Sequence, residues 1–226
     1  MSPTLPRIAV LCSGSGTNLQ AIINAVRVGN VRARVAIVVS DKPKAYALKR
    51  ADKVGVEARY INPKAFATRA SYERALISLL EDRRVYLVCL AGFMRVLSPV
   101  FIRRFRYRVL NIHPALLPAF PGAHAIRDAL AWGAKVSGVT IHFADENVDH
   151  GPIILQEAVT IHQGETEAHL LDRIHRVEHR LYPEAIRLVL AGRVRLVGRT
   201  TVTGARHCTL AEYFKACFRQ DDIAAA

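Results

Sequence analysis

Short apolar runs rich in β-branched residues alternate with segments of helical period, and this alternation limits the fold more than any other feature of the chain. The predicted strands are Ile8–Cys12, Val35–Ser40, Glu57–Ile61, Val85–Ala91, Val109–His113, Val136–Phe143 and Pro152–Val159. The predicted helices are Asn18–Val28, Tyr46–Val54, Ser71–Arg83, Pro99–Phe105, Ala125–Trp132 and Thr166–Ala191. This order predicts an α/β fold: a doubly wound, mostly parallel, Rossmann-like sheet with helices on both faces.

Proline positions and chain length predict the organisation around that sheet. Ser98 followed by Pro99 predicts a helix start, since serine caps helices and proline fits their first turn. Pro183 predicts a kink or a split in the last helix, because proline lacks the N–H that a helix interior uses. The 226 residues fit a single domain, which we place at residues 1–198, with residues 199–226 as a carboxy-terminal extension.

Cysteine usage, hydropathy and charge restrict location and partners. Cys12 and Cys89 lie in apolar runs and are predicted to be buried; Cys208 and Cys217 form no paired spacing with them, which predicts a reducing, cytoplasmic environment. No run approaches the ~18 apolar residues of a membrane span, so no membrane partner is expected. The net charge of +13 fits phosphate or carboxylate substrates, and because the basic residues are spread along the chain we expect no nucleic-acid partner.

A glycine-rich loop, Cys12-Ser-Gly-Ser-Gly-Thr-Asn-Leu19, joins the first strand to the first helix. Such a turn presents backbone N–H groups and the positive helix end to an anion, which favours a monophosphate site. A dinucleotide site is the second interpretation, with Asp41 as the ribose acid, although Leu19 stands where the fingerprint needs a third glycine. A tight turn without a ligand is the third.

Polar residues end the fifth predicted strand. Asn111 and His113 share one face of it, because alternate strand residues point the same way, and Pro114 stops the strand. In open α/β sheets the carboxyl ends of the strands hold the functional site, so this pair favours function over packing. A later loop carries Asp149 immediately before His-Gly-Pro, which would fix its carboxylate near the next strand.

The last helix contains His175-Arg-Val-Glu-His179, which spells an inverted zinc-protease motif. Such sites take a third ligand well downstream, and Glu212 is the only glutamate after Glu184. We therefore predict no metal site.

Four motifs in this order resemble phosphoribosylglycinamide formyltransferases, a branch of the folate-dependent formyltransferase superfamily. They are Gly14-Ser-Gly-Thr-Asn-Leu-Gln20, Leu90-Ala-Gly-Phe-Met-Arg-Val-Leu97, Asn111-Ile-His-Pro-Ala-Leu-Leu-Pro118 and Asp149-His-Gly-Pro-Ile-Ile154. The likeness extends from Arg7 to Val197. Two positions depart from the family pattern: Ala115, where a serine is common, and His150, where a small residue is common.

The resemblance implies formyl transfer from 10-formyltetrahydrofolate, a co-substrate, to the amine of glycinamide ribonucleotide in purine biosynthesis, by a monomer or a homodimer. It implies Asn111, His113 and Asp149 as catalytic residues and His142 as a supporting residue behind them. The implied ribonucleotide contacts are Gly16, Thr17, Asn18 and Glu178. The implied folate contacts are Arg69, Met94, Arg95, Val96, Leu97, Ala144, Asp145, Glu146, Asn147 and Val148.

Three other functions stay open at this point. A sibling activity would hydrolyse 10-formyltetrahydrofolate or transfer its formyl group to another amine. A nicotinamide-dependent oxidoreductase would use the glycine loop for its cofactor. A nucleic-acid binder would use the basic surface, with binding that weakens as salt rises.

Overall fold

A seven-stranded sheet forms the centre of the computed structural model, which describes residues 5–204. Its strands are β1 (Arg7–Leu11), β2 (Arg34–Ser40), β3 (Ala58–Tyr60), β4 (Leu87–Leu90), β5 (Val109–His113), β6 (Val136–Phe143) and β7 (Ile153–Thr160). The helices are α1 (Thr17–Arg27), α2 (Tyr46–Asp52), α3 (Arg69–Asp82), α4 (Pro99–Arg104), α5 (Ala125–Trp132) and α6 (Glu167–Leu190), with a 3₁₀ turn at Pro63–Ala65. A two-stranded hairpin, β8 (Val194–Val197) and β9 (Thr200–Thr203), follows.

The strand order is β3-β2-β1-β4-β5-β6-β7. Strands β1 to β5 pair in parallel, whereas β6 pairs antiparallel with both β5 and β7. The predicted doubly wound, mostly parallel sheet is confirmed. The chain winds outward from β1 in both directions, so β1 and β4 form the switch point at which such sheets bind ligands.

Alternate residues of each strand enter two separate apolar layers. Val10 lies in one layer with Leu19 of α1 and Ile174 of α6. Leu11 lies in the other layer with Leu76 of α3 and further residues of α4. Burial on both faces explains the near-continuous apolar runs of the central strands. Cys12 and Cys89 are fully buried, as predicted, while Cys208 and Cys217 lie outside the described residues.

The structure tests two local predictions about helices α6 and α4. Helix α6 is not split, since it continues unbroken through Pro183, whose buried position within a long amphipathic helix offsets the missing N–H. The helix start at Ser98 and Pro99 is confirmed, since Ser98 is the N-cap residue of α4 and Pro99 begins it, but the Ser98 hydroxyl donates to Glu73 and makes no capping hydrogen bond.

The predicted boundary between the domain and the carboxy-terminal extension, at residue 198, lies in the turn of the β8–β9 hairpin. Residues 199–204 return antiparallel along β8, whereas residues 205–226 lie outside the described part of the chain. The division at residue 198 therefore stays a prediction. Among the described helices, none combines the length and the apolar character needed to cross a membrane.

Candidate active site

The carboxyl end of β5 places two polar side chains beside the antiparallel strand β6. Asn111 pairs in register with His142 of β6, and His113 follows two residues later. His113 and His142 are buried, with 4% and 1% of their surface exposed. Buried polar groups need partners. Each of these side chains has one.

Asp149 joins the end of β5 to the loop between β6 and β7. Its Oδ1 accepts from Asn111 Nδ2 at 3.2 Å, and its Oδ2 lies 3.3 Å from His113 Nδ1. The backbone N–H of Gly122 donates to Oδ2 at 2.8 Å. The structure therefore brings together the three side chains that the resemblance implies to be catalytic, from two separate segments of the chain.

The backbone of the Asp149 loop is tightly constrained. Asp149 has a φ of 51°, a region that disfavours side chains. A Cβ on Gly151 would lie 1.8 Å from the carbonyl oxygen of Phe143, so only glycine lets the loop approach β6 this closely. Strained residues of this kind persist where neighbouring contacts hold them, and they concentrate at functional sites.

Burial and charge set the protonation of the pair. Burial lowers the pKa of His113, although the Asp149 carboxylate and the Phe120 carbonyl both favour the charged ring. Burial raises the pKa of Asp149, but the contacts with His142, Gly122 N–H and His113 outweigh it, so that pKa lies below the usual value. The carboxylate of Asp149 is therefore held in its ionised form, while burial and the neighbouring acceptors act in opposite directions on the His113 ring.

The ring nitrogens of the two histidines have different partners. His113 Nε2 lies 2.8 Å from the carbonyl oxygen of Phe120, which can only accept, so Nε2 carries a proton. His142 Nδ1 lies 2.9 Å from the carbonyl oxygen of Phe143, which leaves its Nε2 free to accept from Asn111 Nδ2 at 3.1 Å. His142 thus orients the Asn111 amide and lies 3.8 Å from Asp149.

A cleft of about 320 Å³ opens beside these residues. One wall is the segment that follows β4, and the opposite wall is the segment that follows β6. Its lining includes nine of the ten predicted folate contacts: Met94, Arg95, Val96, Leu97, Ala144, Asp145, Glu146, Asn147 and Val148. Met94, Val96 and Val148 expose more than half of their surface, which a flat apolar ligand would cover.

The tenth residue, Arg69, lies at the rim of the cleft. Its Nη2 donates to the carbonyl oxygen of Val96 at 2.5 Å, and its Nε pairs with Glu73 at 2.9 Å. The guanidinium of Arg95 stacks over Tyr72 at 5.2 Å. Two cations therefore flank the same wall, where they could meet a carboxylate-bearing ligand.

The glycine loop is attached to this wall. Ser13 N donates to the carbonyl oxygen of Gly92, and Ser13 Oγ accepts from Met94 N at 2.9 Å. Ser13 Oγ also donates to the buried Asp41 at 2.6 Å. Asp41 therefore holds the loop itself, which weighs against its predicted alternative role as the acid that binds a nucleotide ribose.

A second polar pair lies between α1 and α6. Asn18 Nδ2 donates to Glu178 Oε2 at 2.8 Å, and both side chains are buried. Burial raises the pKa of Glu178 to about 7, partly opposed by the Asn18 hydrogen bond.

The two histidines of the inverted zinc-protease motif, His175 and His179, stack on each other with their ring centroids 5.9 Å apart. Within residues 5–204 no three His, Cys, Asp or Glu side chains are arranged to hold a metal ion.

Comparison with known proteins identifies the family. The family model described as formyl transferase matches residues 6–186. The chain belongs to the formyl transferase family. It is similar to the phosphoribosylglycinamide formyltransferase of Bacillus subtilis, with 38% identity over 186 residues, 82% of this chain and 95% of that protein.

Two further relatives support the family and the fold. The crystal structure of glycinamide ribonucleotide transformylase 1 from Symbiobacterium toebii superposes with a TM-score of 0.87 and 50% identity, covering 88% of this chain and 94% of that one. The trifunctional purine biosynthetic protein adenosine-3 of Bos taurus is 44% identical over 196 residues, 87% of this chain. The chain spans only 19% of the length of that trifunctional relative.

Several site contacts of this formyl transferase were not predicted from the sequence. The carbonyl oxygen of Phe120 contacts His113, and the N–H of Gly122 donates to Asp149. Because nearly every residue has these backbone groups, the amino-acid sequence does not reveal such contacts. The buried Glu73, which accepts from Ser98 N at 2.9 Å, was also missed. An acidic residue at a buried position of the α3 helical pattern was the available signal for it.

The glycine loop predicts a contrast between two alanine substitutions. Gly16→Ala should lower the free energy of unfolding by about 2–3 kcal/mol, because Gly16 has a φ of 72° and its Cβ would lie 2.7 Å from Ala47 Cβ. Gly14→Ala is the matched control, since its Cβ would meet nothing within 4 Å. Urea unfolding measures both. Equal losses for the two variants would contradict the packing argument.

Glu178 predicts a pH-dependent stability. In the unfolded chain this carboxyl titrates near 4.5, and in the folded chain near 7. Between these values the folded chain keeps a proton that the unfolded chain has lost, so the free energy of unfolding falls as pH rises. The fall attributable to Glu178 is about 3 kcal/mol, and Glu178→Gln should abolish it. Urea titrations of both proteins from pH 4.5 to 7.5 test this; parallel curves would contradict the buried-acid assignment.

Proposed function

We propose that this formyl transferase moves the formyl group of 10-formyltetrahydrofolate to the amine of glycinamide ribonucleotide, a step of purine biosynthesis. The observation that carries the proposal is the convergence of Asn111, His113 and Asp149 at the edge of a largely apolar cleft. The names of the relatives agree with it. This role also fits the cytoplasmic location predicted from the sequence.

The cleft suits a reduced folate in size and chemistry. Its volume of about 320 Å³ lies in the range of small-molecule sites, and its walls combine apolar side chains with backbone polar groups. In the proposal the pterin lies between the Met94–Leu97 wall and the 144–148 wall. Arg69 and Arg95 bind the carboxylates of the folate tail at the rim, since arginine pairs well with carboxylates.

The ribonucleotide is proposed to bind beside the glycine loop. The N–H groups at the start of α1, together with Gly16 and Thr17, suit a phosphate. The Asn18–Glu178 pair suits the ribose hydroxyls, because a hydroxyl can donate to the carboxylate and accept from the amide. The loop contacts Gly92 and Met94, so both ligands would share one wall.

The reaction follows from the charges of the three side chains. The amine nitrogen attacks the formyl carbon, and the carbonyl oxygen becomes an oxyanion. Asn111 Nδ2 and His113 Nε2 are N–H donors that can stabilise this charge. The ionised Asp149 accepts the proton that the amine loses, directly or through water. The folate nitrogen gains a proton as its bond to the formyl carbon breaks, so no net proton is consumed.

A spectroscopic assay tests the proposal. Purified protein is mixed with 10-formyltetrahydrofolate, and folate absorbance is followed with and without glycinamide ribonucleotide. Turnover that requires the ribonucleotide is the expected result. Turnover without it would indicate the hydrolase activity instead. Absence of turnover from folded protein in both mixtures would overturn the proposal.

A further inference from the structure

The β8–β9 hairpin contacts the loop that carries Asp149 from its outer side. At the hairpin turn, Arg199 Nη2 donates to the carbonyl oxygen of His150 at 2.7 Å. Two residues later, Thr201 Oγ1 donates to the carbonyl oxygen of Ile153 at 2.5 Å. The hairpin therefore binds the backbone immediately after Asp149 at two points. The site described above does not involve either contact.

His150 links this hairpin to the wall of the cleft. Its Nδ1 lies 2.7 Å from Asp145 Oδ2, and because a carboxylate only accepts, Nδ1 carries the proton. Arg199 Nη1 lies 3.0 Å from Nε2, which can accept from it, and 3.3 Å from Nδ1. Asp145, His150 and Arg199 thus form a continuous hydrogen-bonded chain from the cleft wall to the hairpin, which we call the outer clasp.

The Asp149 loop needs restraint from both sides. Asp149 has a φ of 51°, and such a backbone is kept only by the contacts around it. On the inner side the Asp149 carboxylate is held by Asn111, His113 and Gly122 N–H. On the outer side the contacts are those of the outer clasp and of Thr201. His150 and Arg199 are exposed enough to lie outside the reaction itself.

We propose that Arg199 is a positioning residue, which holds the Asp149 loop through His150 in the conformation that binds the folate. The proposal rests on the proposed function, since it assigns Asp145–Val148 to the folate wall. Folate selects the ordered loop, so a loop that is ordered for a smaller fraction of the time binds folate with a proportionally weaker apparent affinity. Saturating folate restores order.

Arg199→Ala tests this inference. An exposed charged contact of this kind supports a change of about fivefold in the loop equilibrium, so the KM for 10-formyltetrahydrofolate should rise by up to about fivefold, the full factor applying when the ordered loop is the minority state without folate. The kcat should stay within about twofold and the KM for glycinamide ribonucleotide should not change. Arg195→Ala is the matched control, because Arg195 is exposed on the same hairpin. Arg199→Lys, which keeps the charge but loses the two-pronged contact, should give an intermediate KM.

Amide hydrogen exchange provides a readout that needs no activity. Residues 145–151 should exchange up to about fivefold faster in Arg199→Ala than in Arg195→Ala, the full factor applying when the ordered loop is the majority state, with α1 and β1 unchanged. Equal exchange in both variants together with a folate KM equal to that of the control would overturn the clasp. A fall in kcat at saturating folate with an unchanged KM would overturn it too. Wild-type protein without turnover would refute the proposed function instead, and the exchange comparison would still decide the clasp.

Discussion

Asp149→Asn is expected to lower kcat about a thousandfold, the loss typical of a removed general base. An asparagine keeps the size of the side chain and can still accept from Gly122 N–H, but it cannot take a proton from the attacking amine. The substitution also removes the negative charge of Asp149, which favours the protonated form of His113. The KM values for the two substrates should change little. The Asp149 carboxylate is proposed to act on the reacting atoms only, and the contacts that bind the rest of the folate and of the ribonucleotide are made by other residues.

Steady-state kinetics with both substrates measure this effect, and thermal unfolding checks the fold. Asp172→Asn is the control, since Asp172 is an exposed aspartate on α6, 62% of whose side chain lies in solvent. It should match wild type in kcat. A folded Asp149→Asn protein with kcat within tenfold of wild type would remove Asp149 from the proposed proton transfer.

The cluster of Asn111, His113 and Asp149 could be anticipated because strand geometry determines most of it. The strand Val109–His113 was predicted with the bounds observed, since an apolar run stops at Pro114. Alternation then put Asn111 and His113 on one face, and the rule that open α/β sheets bind ligands at the carboxyl ends of their strands put that pair at a ligand site. The residue pattern marked Asp149 as a carboxylate fixed near the next strand, and its catalytic role followed from the resemblance.

The parts of the site that were missed depend on backbone position or on distant packing. Phe120 and Gly122 contribute a carbonyl and an N–H, which every residue possesses, so identity carries no information about them. Glu73 is buried because α3 packs against the segment that precedes α4, where its carboxylate binds Ser98. Such a contact between separate elements cannot be read from one helical pattern.

The β8–β9 hairpin was missed although its sequence carries a signal. Val194–Val197 and the β-branched Thr200–Thr203 are separated by Gly198 and Arg199, a two-residue turn that begins with glycine. Each strand has four residues, and such short runs are weak evidence without a sheet to join. The hairpin instead makes hydrogen bonds with the 150–153 segment. These contacts between distant parts of the chain cannot be predicted from the residue pattern.

Asn111→Ala is expected to lower kcat by about two to three orders of magnitude, the effect of removing one donor to an oxyanion. In the resting site both hydrogens of the amide are engaged, one with His142 Nε2 at 3.1 Å and one with Asp149 Oδ1 at 3.2 Å. These partners hold the amide before the substrate arrives. As the negative charge develops on the formyl oxygen, the amide exchanges one of these partners for that oxygen. This bond is therefore made in the transition state, which is why its removal should affect kcat more than KM.

The Asn111→Ala variant should also lose stability, and comparing that loss with the change in kcat distinguishes a structural role of the amide from a role in the reaction. Alanine leaves the buried His142 Nε2 without its donor, which should reduce the free energy of unfolding by about 1–3 kcal/mol. Asn24→Ala, at an exposed position of α1, is the control and should change neither quantity. If Asn111→Ala loses stability but keeps kcat within threefold of wild type, the amide orients its neighbours only, and the oxyanion must be stabilised by His113 with a backbone donor such as Gly122 N–H.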